Sequence, residues 1–243
     1  MPRIGRIESV AQGNAAPGGA AAVDKAVSLL AAFSPGDESL TLGELAERTQ
    51  LYKSTVLRLL ASLEHGRLVQ KLDNGRYALG SEVARLYGIY AASFLLDRLV
   101  LPVLNELVRL TGESAAYHVR QGDSRLCLYR VDSPHPIRDH VRAGEVLPLD
   151  RGTGARVLVA FDKTLLSAVA RKDRKLYSTI AEQGYYAVAG DRLAEVAGIS
   201  APVFRADKRI AGALTLTMPA HRYQATYIAA VVAAASELSG KFI

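Results

Sequence analysis

The chain has 243 residues, 49% of them hydrophobic, enough to bury a sizeable core in one large domain or two small ones. Its formal charge of +6 invites a nucleic-acid reading only once the charges are located. One cysteine, Cys127, excludes an internal disulfide framework and fits a reducing cytoplasm, and the run Tyr227–Ala235 is far short of the about 20 residues of a membrane span.

Residues 1–21 carry Arg3 and Arg6, then Gly13, Pro17, Gly18 and Gly19, with no continuous apolar stretch of a signal peptide. They are expected to form a disordered tail. Val23, Ala26, Val27 and Leu30 then recur at helical spacing, and Ser34-Pro35-Gly36-Asp37 stops the helix. Thr41 with Glu44 reads as a capping box for a second helix carrying Leu42, Leu45 and Ala46. A third helix is expected from Lys53 to Glu64, its stripe being Val56, Leu59, Leu60 and Leu63. Gly66 is expected to supply a left-handed stop. Leu68–Lys71 and Arg76–Leu79 read as strands around Asp73-Asn74-Gly75, and Asn-Gly is a strong hairpin signal. Together these make a winged helix-turn-helix.

A mostly helical stretch follows from Ser81 to Leu110, expected to be interrupted at Pro102, with Leu86, Ile89 and Tyr90 on one apolar face. Strands are expected over 115–119, 125–131, 199–204 and 210–217, and helices over 154–161, 163–170 and 223–238. The run Arg171–Lys175 reads as a solvated helix end. This order describes an α+β domain of roughly 145 residues.

The third helix carries the clearest chemistry. Opposite its apolar stripe stand Ser54, Arg58 and Ala61, with Thr55 and Ser62 beside them. Small and hydroxylated residues let a helix enter a major groove, and one long cation reaches guanine edges or phosphate. Lys53 stands at the helix start, where backbone N–H groups also face phosphate. Asn74 and Arg76 flank the hairpin tip, and residues 53–76 carry a local charge of +3. Residues 1–98 as a whole carry only +1, against +5 for the rest, so the global charge is a poor witness for DNA binding.

Val23–Leu30, Leu42-x-Glu44-Leu45-Ala46, Lys53-Ser54-Thr55-Val56-x-Arg58-Leu59-Leu60-x-x-Leu63 and Arg76-Tyr77-x-Leu79-Gly80 resemble the DNA-binding domain of the IclR family of bacterial transcription regulators. Arg130–Arg138, Gly144-x-x-Leu147-Pro148-Leu149, Gly184-Tyr185 and Ile199–Phe204 are similar to later segments of that family. The resemblance implies a winged helix-turn-helix over 22–80, a linker helix over 81–98 and a GAF-like effector-binding domain over 99–243. It implies a homodimer or homotetramer on a palindromic operator, modulated by a small organic effector, often a carboxylate or aromatic catabolite. By position it assigns DNA contact to Thr41, Lys53, Ser54, Thr55, Arg58, Asn74 and Arg76. It places the effector pocket at Asp150, Arg151, Gly152, Thr153, Gly154, Val188, Gly198, Thr215 and Thr217.

That pocket makes chemical sense: a helix N-terminus binds anions, two hydroxyls at i and i+2 on a strand share a face, and Arg151 is suited to a carboxylate. Two departures alter its polarity. Asp150-Arg151 stands where the family commonly has His-Ala, and Val188 stands where a small polar or acidic residue is common. The rival reading is a small-molecule enzyme domain with a vestigial helix-turn-helix. It lacks support from motifs: Gly152–Arg156 lacks a phosphate-loop ending, no nucleophile elbow occurs, and His65, His118, His135, His140 and His221 have no metal-ligand spacing. No cofactor and no metal are expected.

Overall fold

In the computed structural model, residues 9–94 and 96–242 are described, and the chain divides between Ser93 and Phe94 into two units. In the first, Ser9 and Gln12 close a capping box around the single helical turn α1 (Val10–Gly13), with Ala11 buried. The stretch expected to be a disordered tail therefore contains local structure from Ser9 onward, because a self-capped turn tucks one apolar methyl inward. Arg3 and Arg6 lie outside the described residues.

Helix α2 (Ala21–Ala31) forms where periodicity predicts, but its buried face is turned. Leu29 is fully buried, flanked by Ala26 and Leu30, whereas Val23 and Val27 are 59% and 56% exposed. Helix α3 (Leu42–Thr49) opens on the expected capping box: the Thr41 hydroxyl accepts the Glu44 N–H, and the Glu44 carboxylate accepts the Thr41 N–H. Gln50 in the left-handed conformation turns the chain into α4 (Lys53–His65), which buries Val56, Leu60 and Leu63.

The stop after α4 differs from expectation. Gly66 has φ −77°, and the left-handed residue is Arg67. The Arg67 carbonyl accepts the Glu82 N–H and lies so close to Gly80 that a Cβ there would collide with it. Glycine is thus needed at the far end of the hairpin, for close approach. Strands β1 (Val69–Lys71) and β2 (Tyr77–Leu79) pair antiparallel around a turn in which Gly75 has φ +77°, as the Asn-Gly signal predicts. Helix α5 (Ser81–Phe94) follows.

In the second unit, α6 (Leu96–Thr111) runs through Pro102 without the expected interruption. Proline removes one backbone donor. Burial of Val100, Val103, Leu104 and Leu107 on the inner face holds the helix together, since tertiary packing supplies most helical stability.

Six antiparallel strands form the sheet: β3 (Ser114–Gln121), β4 (Ser124–Val131), β5 (Val146–Pro148), β6 (Tyr186–Ala189), β7 (Val196–Phe204) and β8 (Ile210–Pro219), in the order β5-β4-β3-β8-β7-β6. Helices α6 and α10 (Tyr227–Leu238) cover one face. Helix α7 (Thr153–Phe161), followed by α8 (Lys163–Ala168) and α9 (Arg174–Gln183), covers the other. The basic run 171–175 therefore opens a helix, as a 3-10 turn at Arg171–Asp173 leading into α9, rather than ending one. Strand alternation sorts β8 cleanly: Leu214, Leu216 and Met218 enter the core beneath α6 and α10, while Thr215 and Thr217 point to the α7 side.

Candidate functional site

Helix α4 presents a solvent face made of Lys53, Ser54, Leu57, Arg58, Ala61 and Ser62, opposite the buried stripe that anchors it. Thr55 is half-buried at the edge of this face. Among the described residues, no ion pair occupies Lys53 or Arg58, so both cations remain available to an outside anion. Tyr52, at the N-cap of α4, is 77% exposed.

The remaining residues assigned to DNA are built into the unit itself. Thr41 spends its hydroxyl on capping α3. The Asn74 side chain accepts the Arg76 N–H at 3.0 Å, fixing the hairpin turn. Arg76 donates to the Ser39 hydroxyl at 2.9 Å and the Ser39 carbonyl at 2.7 Å, and lies 3.2 Å from the Glu44 carboxylate. Its guanidinium staples the wing to the start of α3 and is already engaged. The hydrogen bonds from Thr41, with Arg76 nearby, hold the Glu44 carboxyl below its ordinary value.

In the second unit, a partly open cavity of about 30 Å³ lies between the sheet and the start of α7. It gathers Gly152 and Thr153 from the α7 start, Val188 from β6, Gly198 from β7 and Thr215 and Thr217 from β8, all named from sequence. Three glycines make this closeness possible. Gly152 holds φ +88°, a backbone state costly to other residues, and its N–H donates to Asp191 at 2.5 Å. A Cβ on Gly198 would lie 2.5 Å from the Thr153 hydroxyl oxygen. A Cβ on Gly154 would lie 2.7 Å from an Arg125 nitrogen and 2.8 Å from the Thr215 hydroxyl oxygen. The hydroxyls of Thr153, Ser200 and Thr215 form a buried chain with links of 2.8 and 2.9 Å.

Asp150 and Arg151 are not in this cavity. They stand exposed and pair with each other at 3.0 Å. Adjacent on a loop before α7, their side chains reach one another in solvent, and the buried work falls to the residues after them. The structure thus places Arg151 outside the cavity lining, beside Asp150.

The charges that do line the cavity come from distant segments: Arg125 and Arg130 on β4, and Asp139, Asp191 and Arg192 on loops. Arg130 bonds Asp132 at 2.7 Å and the Asp139 carbonyl at 2.9 Å, and Arg192 pairs with the Asp139 carboxylate. Asp191 is held by Arg156 as well as by the Gly152 N–H, and Arg156 is held in turn by the Tyr177 hydroxyl. Arg125 is 3% exposed, no ion pair among the described residues holds it, and its Nε has no hydrogen-bond partner. Burial and the neighbouring Arg192 pull its pKa down to about 10, which leaves it charged at neutral pH. His118 on β3 is equally buried, both ring nitrogens lack partners, and burial with Arg125, Arg130 and Arg192 around it holds its pKa well below the ordinary value. Sequence reasoning missed these residues, since alternation places Arg125 on a strand without saying that it points inward. Cys127 is buried and its thiol is pushed up to about 12, chiefly by burial, as an inert core cysteine. Among the described residues, no cluster of three or more His, Cys, Asp or Glu could hold a metal ion, and no helix is long and apolar enough to cross a membrane.

Comparison with known proteins agrees with this division. Residues 22–73 match the family model of the IclR helix-turn-helix domain, and residues 90–241 match that of the bacterial transcriptional regulator IclR C-terminal region. The chain is 27% identical over 211 residues to the glycerol operon regulatory protein of Streptomyces coelicolor, covering 80% of this chain and 83% of that one. Among solved structures, it is similar to an IclR homologue of Microbacterium hydrocarbonoxydans complexed with 4-hydroxybenzoate (TM-score 0.78, 19% identity, covering 90% of this chain and 97% of that chain). It is also similar to an IclR transcriptional regulator of Alicyclobacillus acidocaldarius (TM-score 0.77, 22% identity, 90% and 96%). At these identities the two structures speak for the fold.

Proposed function

The chain belongs to the IclR family of DNA-binding transcription regulators, and from that premise we propose that α4 reads a palindromic operator while a small organic effector in the α7 cavity modulates operator affinity. Its family consists of regulators rather than enzymes, which sets aside the reading of a catalytic domain with a vestigial helix-turn-helix. Lys53, Ser54, Thr55 and Arg58 are the proposed groove contacts; Thr41, Asn74 and Arg76 shape the unit that presents them.

The observation that carries the regulatory half is the cavity at the start of α7, lined by glycine backbone, hydroxyls and a buried guanidinium without an ion-pair partner. A carboxylate or aromatic catabolite suits this lining, and the Microbacterium homologue binds 4-hydroxybenzoate, which is both. We propose control of a catabolic operon in the cytoplasm. The effector would act by binding one arrangement of the protein better than another, and only that differential affinity shifts the equilibrium. Assembly as a homodimer or homotetramer is supported by apolar side chains left exposed in the first unit: Val23 and Val27 on α2, and Leu86, Tyr87 and Ile89 on α5.

The test is isothermal calorimetry of a responsive effector against wild type and Thr217→Val. The variant is expected to bind effector more weakly while keeping operator affinity in the absence of effector. Unchanged effector affinity would overturn the cavity assignment.

A further inference from the structure

The solvent face of α4 is made of two rows of side chains. Ser54, Arg58 and Ser62 recur at i, i+4 and i+8, and Lys53, Leu57 and Ala61 form the row beside them. The first row is polar throughout. The second is charged only at its start, and its centre is a leucine. Val56, Leu60 and Leu63 lie in the core and Leu59 packs against it, whereas Leu57 is 48% exposed.

A single exposed leucine is ordinary on a protein surface, and helix propensity alone favours one here. Its place on the helix gives it a further meaning. Successive helical residues point about 100° apart, so a duplex that receives Arg58 in its major groove also closes over Leu57. Ala61, next along the row, adds little bulk and lets the bases come close. In the major groove the one apolar group on the base edges is the C5 methyl of thymine; the rest are hydrogen-bond donors and acceptors. Leucine has neither to offer. Against a cytosine amino group or a purine edge it strips water and returns nothing, whereas against a thymine methyl two apolar surfaces leave water together.

Resting on the reading of α4 as the operator-binding helix, we propose that Leu57 is a specificity residue that packs on a thymine C5 methyl in the operator, beside the contact made by Arg58. Arg58 supplies charge and hydrogen bonds. Leu57 supplies the discrimination of thymine from the other bases at its position.

The test uses operator DNA isolated by selection from a random duplex library with the full chain. A copy of that duplex carries deoxyuridine in place of every thymine, so that only C5 methyls are lost. Anisotropy titrations at fixed salt compare both duplexes against wild type, Leu57→Ala and Arg58→Ala. Wild type is expected to bind the deoxyuridine copy at least about fourfold more weakly, the worth of one buried methylene. Leu57→Ala is expected to bind the two duplexes alike. The position is exposed and alanine is the best helix former, so this variant keeps its fold, which circular dichroism checks. Arg58→Ala should bind both duplexes more weakly and retain the difference between them. If wild type binds the two duplexes equally, if Leu57→Ala keeps the wild-type difference, or if the selected operator has no fixed thymine, the proposal is overturned. Should Arg58→Ala still lose operator affinity in that case, α4 remains the operator-binding helix and only the role of Leu57 is wrong. If neither variant changes operator affinity, the reading of α4 falls as well. A changed oligomeric mass for Leu57→Ala on sedimentation, with the duplex difference intact, would assign Leu57 to a contact between copies of the chain and overturn the proposal too.

Discussion

The two units use arginine in opposite ways. Arg58 stands on the solvent face of α4, held by no ion pair among the described residues. Arg125 is enclosed among strands, and no ion pair among the described residues holds it. Between these extremes sit Arg76 and Arg151, both of which look functional in the sequence. Arg76 is fastened to Ser39 and Glu44, and Arg151 to its neighbour Asp150. A cation's role depends on whether the fold has already given it a counter-ion, and the residue type alone does not say so.

The comparison breaks most visibly at Leu60, which is 1% exposed beneath α4. Leu60→Ala is expected to cost about 2–5 kcal/mol in the first unit, abolishing operator binding while effector binding continues. Equilibrium denaturation followed beside effector calorimetry checks this; loss of both activities would mean that the units do not hold separate sites.

The second prediction concerns His118. Its pKa in the fold lies well below 6.5, whereas an unfolded chain titrates near 6.5, so the unfolded state binds the proton more readily. The stability that depends on a neutral His118 is intact above pH 6.5 and is lost as pH falls through the folded value. Melting temperature is expected to drop below pH 6.5, and His118→Gln should flatten that drop. An identical pH profile in the variant would exclude His118 as the source.

Next comes Arg76. Because its partners lie within the unit and are partly solvent-screened, Arg76→Ala is expected to lower stability by about 1 kcal/mol. It should leave the salt dependence of operator binding unchanged, whereas Lys53→Ala should reduce that slope by about 1. The smallest effect belongs to Arg151→Ala, expected within about 0.5 kcal/mol of wild type in stability and without effect on effector affinity. A tenfold loss of effector affinity there would restore the sequence-based assignment.

These differences also explain what the sequence discloses. The first unit is legible because each element is set by neighbours along the chain: the Thr41–Glu44 box, the stripe of α4, the Asn74-Gly75 turn. Its errors are of degree. The heptad-like spacing on α2 identifies the helix, but Val23 and Val27 are left outside because α2 buries Leu29 instead. Pro102 reads as a break, yet buried neighbours on α6 override it. In the cavity, Thr215, Thr217, Gly152 and Gly198 are legible because resemblance supplies their positions. Arg125, His118 and Arg192 are not, since they meet only through the pairing of β3, β4 and β8 and the loop before β7. Strands β5 and β6 escape because they span only three and four residues, too few for an alternating pattern to show.

The central claim is that operator reading and effector sensing occupy separate sites on one chain. Fluorescence anisotropy with operator DNA at fixed salt, on wild type, Arg58→Ala and Thr217→Val, tests it most directly. Arg58→Ala is expected to lose about 1–3 kcal/mol of operator affinity, roughly 5- to 150-fold, and to keep its effector affinity. Thr217→Val should show the reverse. Operator binding by Arg58→Ala indistinguishable from wild type would contradict the account.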